Sequence, residues 1–242
     1  MRLLSLEVTN YRNIASARLE PGRELTVICG NNGQGKTNLL EAIWLLTGGK
    51  SFRGGKDAEL VRRGETFAVL EAVTQRTRQE DQEPDDPARV RITVGTPDAP
   101  RPGRYASVNG AAPKRAAGLA DLLKQRQNEE LRAGQSLCGV HREDLELLLD
   151  DQPARVFASQ GQQRSVVLSL KMAEAAAAAR ITGEHPVLLL DDVLSELDEG
   201  RKQYLLTRMK EKQTFVTSCD DTAFLKTDGE VYRMNGGVLS RA

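Results

Sequence analysis

Eight residues near the start of the chain, residues 30–37, have the spacing GxxxxGK[ST]. Glycines in such a loop allow successive backbone N–H groups to point at one anion, and the helix that follows directs its positive end to the same place. The charge of Lys36 can reach the β- and γ-phosphates of a nucleotide, and the hydroxyl of Thr37 can bind Mg²⁺. The loop therefore predicts a binding site for a nucleotide and Mg²⁺, without deciding which class of P-loop protein carries it.

The whole loop is predicted to contact the nucleotide, and Lys36 is also predicted to be catalytic. The alternative interpretation is a glycine turn that binds nothing. A predicted strand before the loop and an amphipathic helix after it favour the binding site. The candidate phosphate ligands are Gly30, Asn31, Asn32, Gly33, Gln34, Gly35, Lys36 and Thr37.

Two neighbouring carboxylates, Asp191 and Asp192, follow the apolar run at residues 187–190. The run predicts a buried strand, and a strand tip beside the phosphate loop is where a carboxylate can hold Mg²⁺. We assign that role to Asp191. Asp192 is predicted to be catalytic, because it is placed to orient or deprotonate the attacking water. The alternative is a pair of solvated acids that begin a turn.

A second anion-binding pattern, SQGQQR at residues 159–164, precedes this strand by one helix. Ser159, Gly161 and Gln162 would lie at the N-terminus of that helix, where backbone N–H groups attract anions. One protomer does not need two such sites for one triphosphate. We therefore expect these three residues to contact the ATP of a second copy, with residues 195–198 (SELD) along the same interface. The alternative is an ordinary capped helix start.

These residues need a scaffold, and the hydrophobic pattern predicts one. The predicted strands are LLSLEVTNYR, ELTVICG, FAVLEAVTQ, ARVRITVG, RYASVNG, PVLLLDD, QTFVTSCDD and the closing hairpin EVYRMNGGVLS. A helix is predicted to follow the phosphate loop and to end at Gly48-Gly49. Its core-facing side is predicted to carry Leu39, Leu40, Ile43, Trp44 and Leu46. Strands and helices alternate at both ends of the chain. This predicts an α/β fold, a P-loop NTPase core with a mainly parallel central sheet plus an antiparallel β lobe.

Composition bounds the class of protein further. The 242 residues include 34 basic and 34 acidic side chains, so DNA binding would need a local basic patch. No apolar run approaches the roughly 20 residues of a membrane-spanning helix, and we expect no membrane association. Three widely spaced cysteines outside any CxxC pattern predict reduced thiols in a cytoplasmic protein.

The order of these motifs resembles that of ABC-type ATPase heads, including the SMC group. The finer motifs resemble the RecF family of bacterial DNA-repair ATPases, and the likeness covers nearly the whole chain. The motifs are YRN at 11–13, GNNGQGKTNLLEAI at 30–43, KSFR at 50–53, GVHREDL at 139–145, SQGQQR at 159–164 and LLLDDVLSELD at 188–198.

The resemblance implies a cytoplasmic, weakly active Mg²⁺-dependent ATPase whose homodimer encloses two ATP molecules. It implies binding of double-stranded DNA and of single-strand/double-strand junctions, with RecR and RecO as partners in recombinational repair and in processing replication gaps. Hydrolysis would release the dimer. By position, Ser159, Gly161 and Gln162 would form the contact across the dimer. Arg12 and Asn13 would approach the base or ribose of the nucleotide.

Two features depart from the RecF pattern. A helical second lobe normally lies before the GVHREDL segment, whereas here residues 119–135 form a short junction within a single predicted head, residues 1–242. The resemblance therefore does not carry over the functions of that lobe, which include part of DNA binding and dimer contact. ABC-type ATPases usually carry a histidine at the end of the strand that is predicted here as QTFVTSCDD. This chain has Thr217, Ser218 and Cys219 in that region. We therefore expect slow hydrolysis.

Three other classes compete with this interpretation. A transporter-type ABC subunit would carry the LSGGQ consensus, which this chain lacks. A small-molecule P-loop kinase would carry neither SQGQQR nor SELD. A nucleotide-binding scaffold with impaired DNA binding would follow from loss of the second lobe, although the intact Lys36, Asp191 and Asp192 oppose complete decay of the ATPase.

Overall fold

The structure, a computed structural model, describes residues 1–76, 85–112, 147–193, 200, 202, 207, 209, 212–219 and 229–242. The chain divides into two compact units, Met1–Ala112 with Val167–Ala242, and Pro113–Val166. The strands are β1 (Arg2–Tyr11), β2 (Ile14–Leu19), β3 (Leu25–Cys29), β4 (Phe67–Gln75), β5 (Ala88–Gly95), β6 (Gly103–Val108), β7 (Leu148–Leu149), β8 (Gln152–Pro153), β9 (Leu188–Leu190), β10 (Thr214–Ser218), β11 (Glu230–Asn235) and β12 (Val238–Arg241). The helices are α1 (Lys36–Leu45), α2 (Ala154–Phe157) and α3 (Gln160–Thr182).

The first unit contains two five-stranded sheets. One is antiparallel, in the order β2-β1-β4-β5-β6. Along β4, buried side chains alternate with half-buried ones because one face of the sheet packs on the core. The other has the order β12-β11-β3-β10-β9, in which β11, β3, β10 and β9 are parallel and β12 closes an antiparallel hairpin. The predicted antiparallel lobe and mainly parallel core are both present.

Helix α1 joins the two sheets through one hydrophobic core. Its Leu39 and Leu40 are buried in the same cluster as Leu6 of β1 and Phe215 of β10. Each fully buried leucine contributes about 2 kcal/mol through apolar area removed from water. This packing fixes where α1 begins, and so where the phosphate loop ends.

The prediction that Trp44 faces the core is wrong. Its side chain is 42% exposed, and the indole N–H donates a hydrogen bond of 2.9 Å to the carbonyl of Lys50. The ring lies against Gly49 in the turn that follows the helix. An indole that finds a partner for its N–H in a surface turn leaves the core position to the adjacent Leu45, which is fully buried.

A buried glutamine, Gln213, ties the start of β1 to the turn before β3. Its amide oxygen accepts from the Leu3 N–H at 2.7 Å, and its amide nitrogen donates to the carbonyls of Leu3 and Gly22 at 2.8 and 2.9 Å. Buried amides are retained when their bonds are made, as here. Gln213 lies directly before β10. This strand is placed between β3, which leads into the phosphate loop, and β9, which leads to Asp191.

In the second unit, the described part begins with the short hairpin of β7 and β8 and the single turn α2. Three predicted features lie outside the described residues: the junction at 119–135, the GVHREDL segment and residues 195–198. The prediction of a single head over residues 1–242 therefore stays a prediction. No helix in the described part of the chain is long and apolar enough to cross a membrane.

Candidate functional site

The phosphate loop connects the end of β3 to the start of α1, as its motif requires. Gly30 has φ +151°, and a Cβ there would collide with the carbonyl oxygen of Met234. Gly35 has φ +113°, and a Cβ there would lie 2.7 Å from the side-chain oxygen of Asn13. Both glycines are therefore required by backbone conformation and by close neighbours. The conformation of the loop therefore depends on Met234 and Asn13, which are distant in sequence, as well as on its own glycines.

The ammonium group of Lys36 is folded inward over the loop. The residue is 6% exposed, and its Nζ donates to the carbonyls of Gly30 and Asn31 at 2.5 and 3.0 Å. The Cys219 thiol lies 3.5 Å from the same nitrogen, and it donates to the side-chain oxygen of Asn32 at 3.1 Å. The positive charge is therefore held at the centre of the loop, where an anion would be attracted.

Asp191 meets the phosphate loop at the carboxyl edge of the parallel sheet. The Thr37 hydroxyl donates to Oδ1 of Asp191 at 3.0 Å. The hydroxyl of Thr217, at the end of β10, donates to the same oxygen at 2.6 Å and accepts from the Asp192 N–H at 2.9 Å. The structure thus brings together two groups, Thr37 and Asp191, that are 154 positions apart in sequence.

The donors at this position fit Mg²⁺. Magnesium prefers oxygen ligands and is usually bound by one or two protein groups together with phosphates and water. A hydroxyl that gives its proton to a carboxylate, as Thr37 does to Asp191, keeps its lone pairs for a cation. Among the described residues, no three His, Cys, Asp or Glu side chains cluster into an all-protein metal cage. A magnesium ion held by Thr37 and Asp191 could complete its coordination with phosphate oxygens and water.

Asp192 has a left-handed backbone, with φ +50°. This conformation is unusual for residues other than glycine, although aspartate and asparagine tolerate it best. The residue is half-buried. Its backbone N–H donates to the Thr217 hydroxyl. The neighbouring Asp191 is exposed, so the two aspartates differ in their exposure to solvent.

Asn13 supports the phosphate loop from the side of the antiparallel sheet. Its amide nitrogen donates to the carbonyl of Gln34 at 3.1 Å, and its amide oxygen accepts from Asn38 of α1 at 2.7 Å. From the opposite direction, the β11–β12 turn donates to Gln34 through the Gly237 N–H at 2.9 Å and the Gly236 N–H at 2.5 Å. Contact of Asn13 with the nucleotide base or ribose stays a prediction.

The guanidinium of Arg12 is engaged by a buried carboxylate of α1. Glu41 is fully buried, and it accepts two bonds from Arg12, at 2.6 and 3.0 Å. The Tyr11 and Ser51 hydroxyls donate to the same carboxylate, each at 2.6 Å. The structure therefore places Arg12 as the partner of Glu41, and its predicted approach to the nucleotide stays a prediction.

This network shifts the pKa of each of its titratable members. Burial raises the pKa of Glu41, but the bonds donated by Arg12, Ser51 and Tyr11 outweigh that effect and hold the pKa below its ordinary value of 4.5. The hydrogen bond to Glu41 raises the pKa of Arg12, against the opposing effect of burial. Burial raises the pKa of the Tyr11 phenol, and its bond to Glu41 raises it further. The carboxylate is therefore the ionised centre of the network.

We expect Glu41→Gln to lower the free energy of unfolding by about 3 kcal/mol at neutral pH, because it leaves the guanidinium of Arg12 without its counter-charge. A lowered folded pKa stabilises the protein above the unfolded value and loses that effect as the pH falls through the folded value. The deficit of the variant should therefore shrink below pH 4.5. Urea unfolding at a series of pH values measures this.

The matched control for Glu41→Gln is Glu7→Gln. Glu7 pairs with Arg18 at 3.5 Å on the surface, where its side chain is 56% exposed, and it should contribute less than about 1 kcal/mol. Equal deficits in the two variants, or a Glu41→Gln deficit that does not vary with pH, would contradict the buried ion pair.

In the second unit, the SQGQQR segment begins helix α3 with reciprocal capping bonds. The Ser159 N–H donates to the Gln162 side-chain oxygen at 2.8 Å, and the Gln162 N–H donates to the Ser159 hydroxyl at 3.3 Å. Both side chains are exposed. At Gly161, no atom of the described chain lies within 4 Å of where a Cβ would stand. The described fold therefore gives no packing reason for a glycine, which lowers helix stability by about 1 kcal/mol relative to alanine.

Several residues that shape the site escaped sequence reasoning. A pocket of about 320 Å³ is lined by the end of β3 at Cys29, part of the phosphate loop, Cys219 and the end of β11 from Arg233 to Asn235. The sequence indicates a hairpin turn at Gly236 and Gly237 but not its support of the phosphate loop. The resemblance sets Thr217 where a histidine is usual, and the sequence does not indicate its bonds to Asp191 and Asp192. Hydroxyl residues in a strand whose five residues TFVTS are all buried are the signal that could have found it.

A parallel sheet with this phosphate loop after β3, a carboxylate at the tip of β9 two strands away and an antiparallel lobe define an ABC-type ATPase head. The chain belongs to the RecF/RecN/SMC N-terminal domain family, whose family model matches residues 2–237. The predicted fold class and the predicted resemblance to RecF are both confirmed.

Individual relatives agree with this assignment. The DNA replication and repair protein RecF of Geobacter sp. strain M21 is 28% identical over 338 residues, which cover 90% of this chain and 93% of the relative. The matched stretch is longer than the 242 residues of this chain, so the relative contains residues with no counterpart here. RecF of Pediococcus pentosaceus is 41% identical over 130 residues, which cover 52% of this chain and 35% of the relative.

Solved structures show the same fold. The recombination mediator protein RecF with ATP, from the RecFOR pathway, superposes with a TM-score of 0.76 at 22% identity and covers 99% of this chain and 97% of its own. An Smc head bound to the C-winged helix domain of ScpA superposes with a TM-score of 0.66 at 16% identity and covers 100% of this chain and 97% of its own.

Proposed function

We propose that the chain is an ATP-dependent DNA-binding protein of recombinational repair and replication-gap processing. It binds ATP through the phosphate loop and Mg²⁺ through Thr37 and Asp191. The observation that carries this proposal is the meeting of the Thr37 hydroxyl and the Asp191 carboxylate, 3.0 Å apart, beside the inward-facing Lys36. Membership of the RecF/RecN/SMC family and the RecF relatives supply the biological context.

The proposed catalytic chemistry is slow ATP hydrolysis. Lys36 neutralises charge on the β- and γ-phosphates, and bound Mg²⁺ supplies further neutralisation of the transferred phosphoryl group. Asp192 orients the attacking water and accepts its proton. The carboxylate of Asp192 starts from a fixed backbone position, since its N–H is held by Thr217. Hydrolysis would then release the ATP-bound state.

ATP is proposed to join two copies of the chain. In this arrangement Ser159, Gly161 and Gln162 of one copy contact the γ-phosphate held by the other. Two features support the proposal: the capping serine and glutamine are exposed at a helix N-terminus, and Gly161 leaves room that the described residues of its own chain do not use. Glycine in a first helical turn allows the close approach of a phosphate.

The proposed ligands and partners follow from the family. The ATP-bound dimer would hold double-stranded DNA and single-strand/double-strand junctions, and would act with RecR and RecO in the cytoplasm. With equal numbers of acidic and basic residues, the chain would hold DNA through local contacts organised by the dimer. DNA affinity would therefore depend on ATP because two surfaces bind together more tightly than one.

The test is a gel-shift comparison of gapped duplex and fully paired blunt duplex, each with and without Mg²⁺-ATP. We expect ATP to increase retention of the gapped duplex by about tenfold or more through bivalent contact. Ser159→Arg should abolish both this increase and the ATP-driven dimer measured by light scattering, because a long cation would occupy the interface. The affinity of the monomer for ATP should stay within about twofold of the unmodified chain, because the phosphate loop is unchanged.

Ala177→Arg is the matched control, since it adds the same side chain at an exposed position further along α3. It should keep the dimer. A normal ATP-driven dimer in Ser159→Arg would count against the contact across the dimer. DNA retention that is independent of ATP in the unmodified chain would refute the proposed function as a whole.

A further inference from the structure

We infer that Thr217 is a positioning residue for the magnesium-binding carboxylate, and that it sets how strongly Mg²⁺ increases the affinity for ATP. The inference rests on the proposed function, because it requires Asp191 to act on the metal. Thr217 is separated from Asp191 by 26 positions and reaches it from the neighbouring parallel strand.

The hydrogen bonds of Thr217 fix the direction in which its hydroxyl donates. Its hydroxyl carries one proton, and its oxygen already accepts the Asp192 N–H at 2.9 Å. The proton is therefore directed at Oδ1 of Asp191, 2.6 Å away. One side chain thus holds both the carboxylate of one residue and the backbone of the next.

Burial makes this hydroxyl more than an incidental partner. Thr217 has no exposed surface, and β10 lies between β3 and β9 in the sheet. Water cannot replace the hydroxyl at that position without a cavity, so loss of the group would leave the Asp192 N–H and Oδ1 of Asp191 each short of one bond. The neighbouring residues of the strand, Val216 and Phe215, are apolar and fully buried.

The bond from Thr217 restricts rotation of the Asp191 side chain. The residue is exposed, and an exposed aspartate normally samples several rotamers. Two hydroxyls, from Thr37 on one side and Thr217 on the other, donate to the same oxygen and hold the carboxylate in one orientation. Groups that orient a metal ligand without touching the metal typically change metal affinity by 10- to 100-fold when they are removed.

The test measures ATP affinity by calorimetry on the full chain, once with Mg²⁺ and once with EDTA. Thr217→Val removes the hydroxyl and keeps the shape. It should reduce the gain in affinity that Mg²⁺ provides by about tenfold or more, while the metal-free affinity stays within about twofold of the unmodified chain. Thr217→Ser keeps a hydroxyl and should restore the gain. Thr217→Ala, measured in parallel, gives a second variant without the hydroxyl if the valine variant folds poorly.

Two controls separate this inference from its premise. Thr214→Val alters another fully buried threonine of β10, whose hydroxyl donates to Lys212 at 3.1 Å away from the carboxylates, and it should keep the full Mg²⁺ gain. Asp191→Asn should lose the gain. An intact gain in Thr217→Val and Thr217→Ala beside a lost gain in Asp191→Asn would overturn the role of Thr217. An intact gain in Asp191→Asn would overturn the metal assignment itself, and the inference with it.

Discussion

Lys36→Ala should abolish measurable ATP binding. The ammonium group is the positive charge that the structure holds at the centre of the phosphate loop, bonded to the carbonyls of Gly30 and Asn31. A charge-assisted bond contributes about 1.5 to 3 kcal/mol, and the proposed contact spans two phosphates, so affinity should fall by at least about 100-fold. Isothermal titration calorimetry with Mg²⁺-ATP measures the change directly.

The control for Lys36→Ala is Lys171→Ala. Lys171 is an exposed lysine of α3 that pairs with Glu174 at 2.7 Å, so its removal takes the same charge from the chain outside the loop. Its ATP affinity should match that of the unmodified chain. Circular dichroism should show both variants folded. An unchanged affinity in Lys36→Ala would refute the assignment of residues 30–37 as the phosphate site.

Asp192→Asn should bind ATP normally and lose turnover by a factor of about 10² to 10⁴, because an amide cannot accept the proton of the attacking water. The substitution suits the backbone, since asparagine tolerates the left-handed conformation at φ +50° as well as aspartate does. The bond from the residue 192 N–H to Thr217 comes from the main chain and is retained. Phosphate release at saturating Mg²⁺-ATP is the measurement.

The contrast with alanine tests whether the effect is chemical. Asp192→Ala also removes the carboxylate, but it adds a backbone penalty of about 1 to 2 kcal/mol at a left-handed position. Asp192→Asn and Asp192→Ala should therefore share the loss of turnover, while the alanine variant alone should be less stable to urea. Hydrolysis at the unmodified rate in Asp192→Asn would remove the residue from its proposed role.

Elements with a strong local pattern could be predicted from the sequence. The runs predicted as β4 and β5 have the observed bounds Phe67–Gln75 and Ala88–Gly95, since alternation of buried and exposed side chains follows directly from one covered sheet face. The hairpin of β11 and β12 has its two glycines in the turn, where φ is positive at both. The phosphate loop could also be predicted, because its chemistry requires particular residue types at fixed spacing.

Interactions that join distant parts of the chain could not be predicted. The approach of Arg12 to the nucleotide is implied by the resemblance to RecF, and nothing in the sequence indicates that Glu41 accepts its guanidinium. The strand β2 was not predicted, because its six residues Ile14–Leu19 are short and interrupted by serine and arginine. It forms because its apolar residues pack against β1 in antiparallel register. Tertiary pairing decided its conformation where local propensity was weak.

The bonds from Gly236 and Gly237 to Gln34 bear on when the site is completed during translation. They connect Gln34 with a turn whose first glycine, Gly236, is made 202 positions later. Contacts of such separation form late, because the intervening chain must first be brought together. A nascent polypeptide on the ribosome therefore lacks this support for the loop until Gly236 and Gly237 have emerged. The phosphate loop gains its full set of contacts only after that turn has been made.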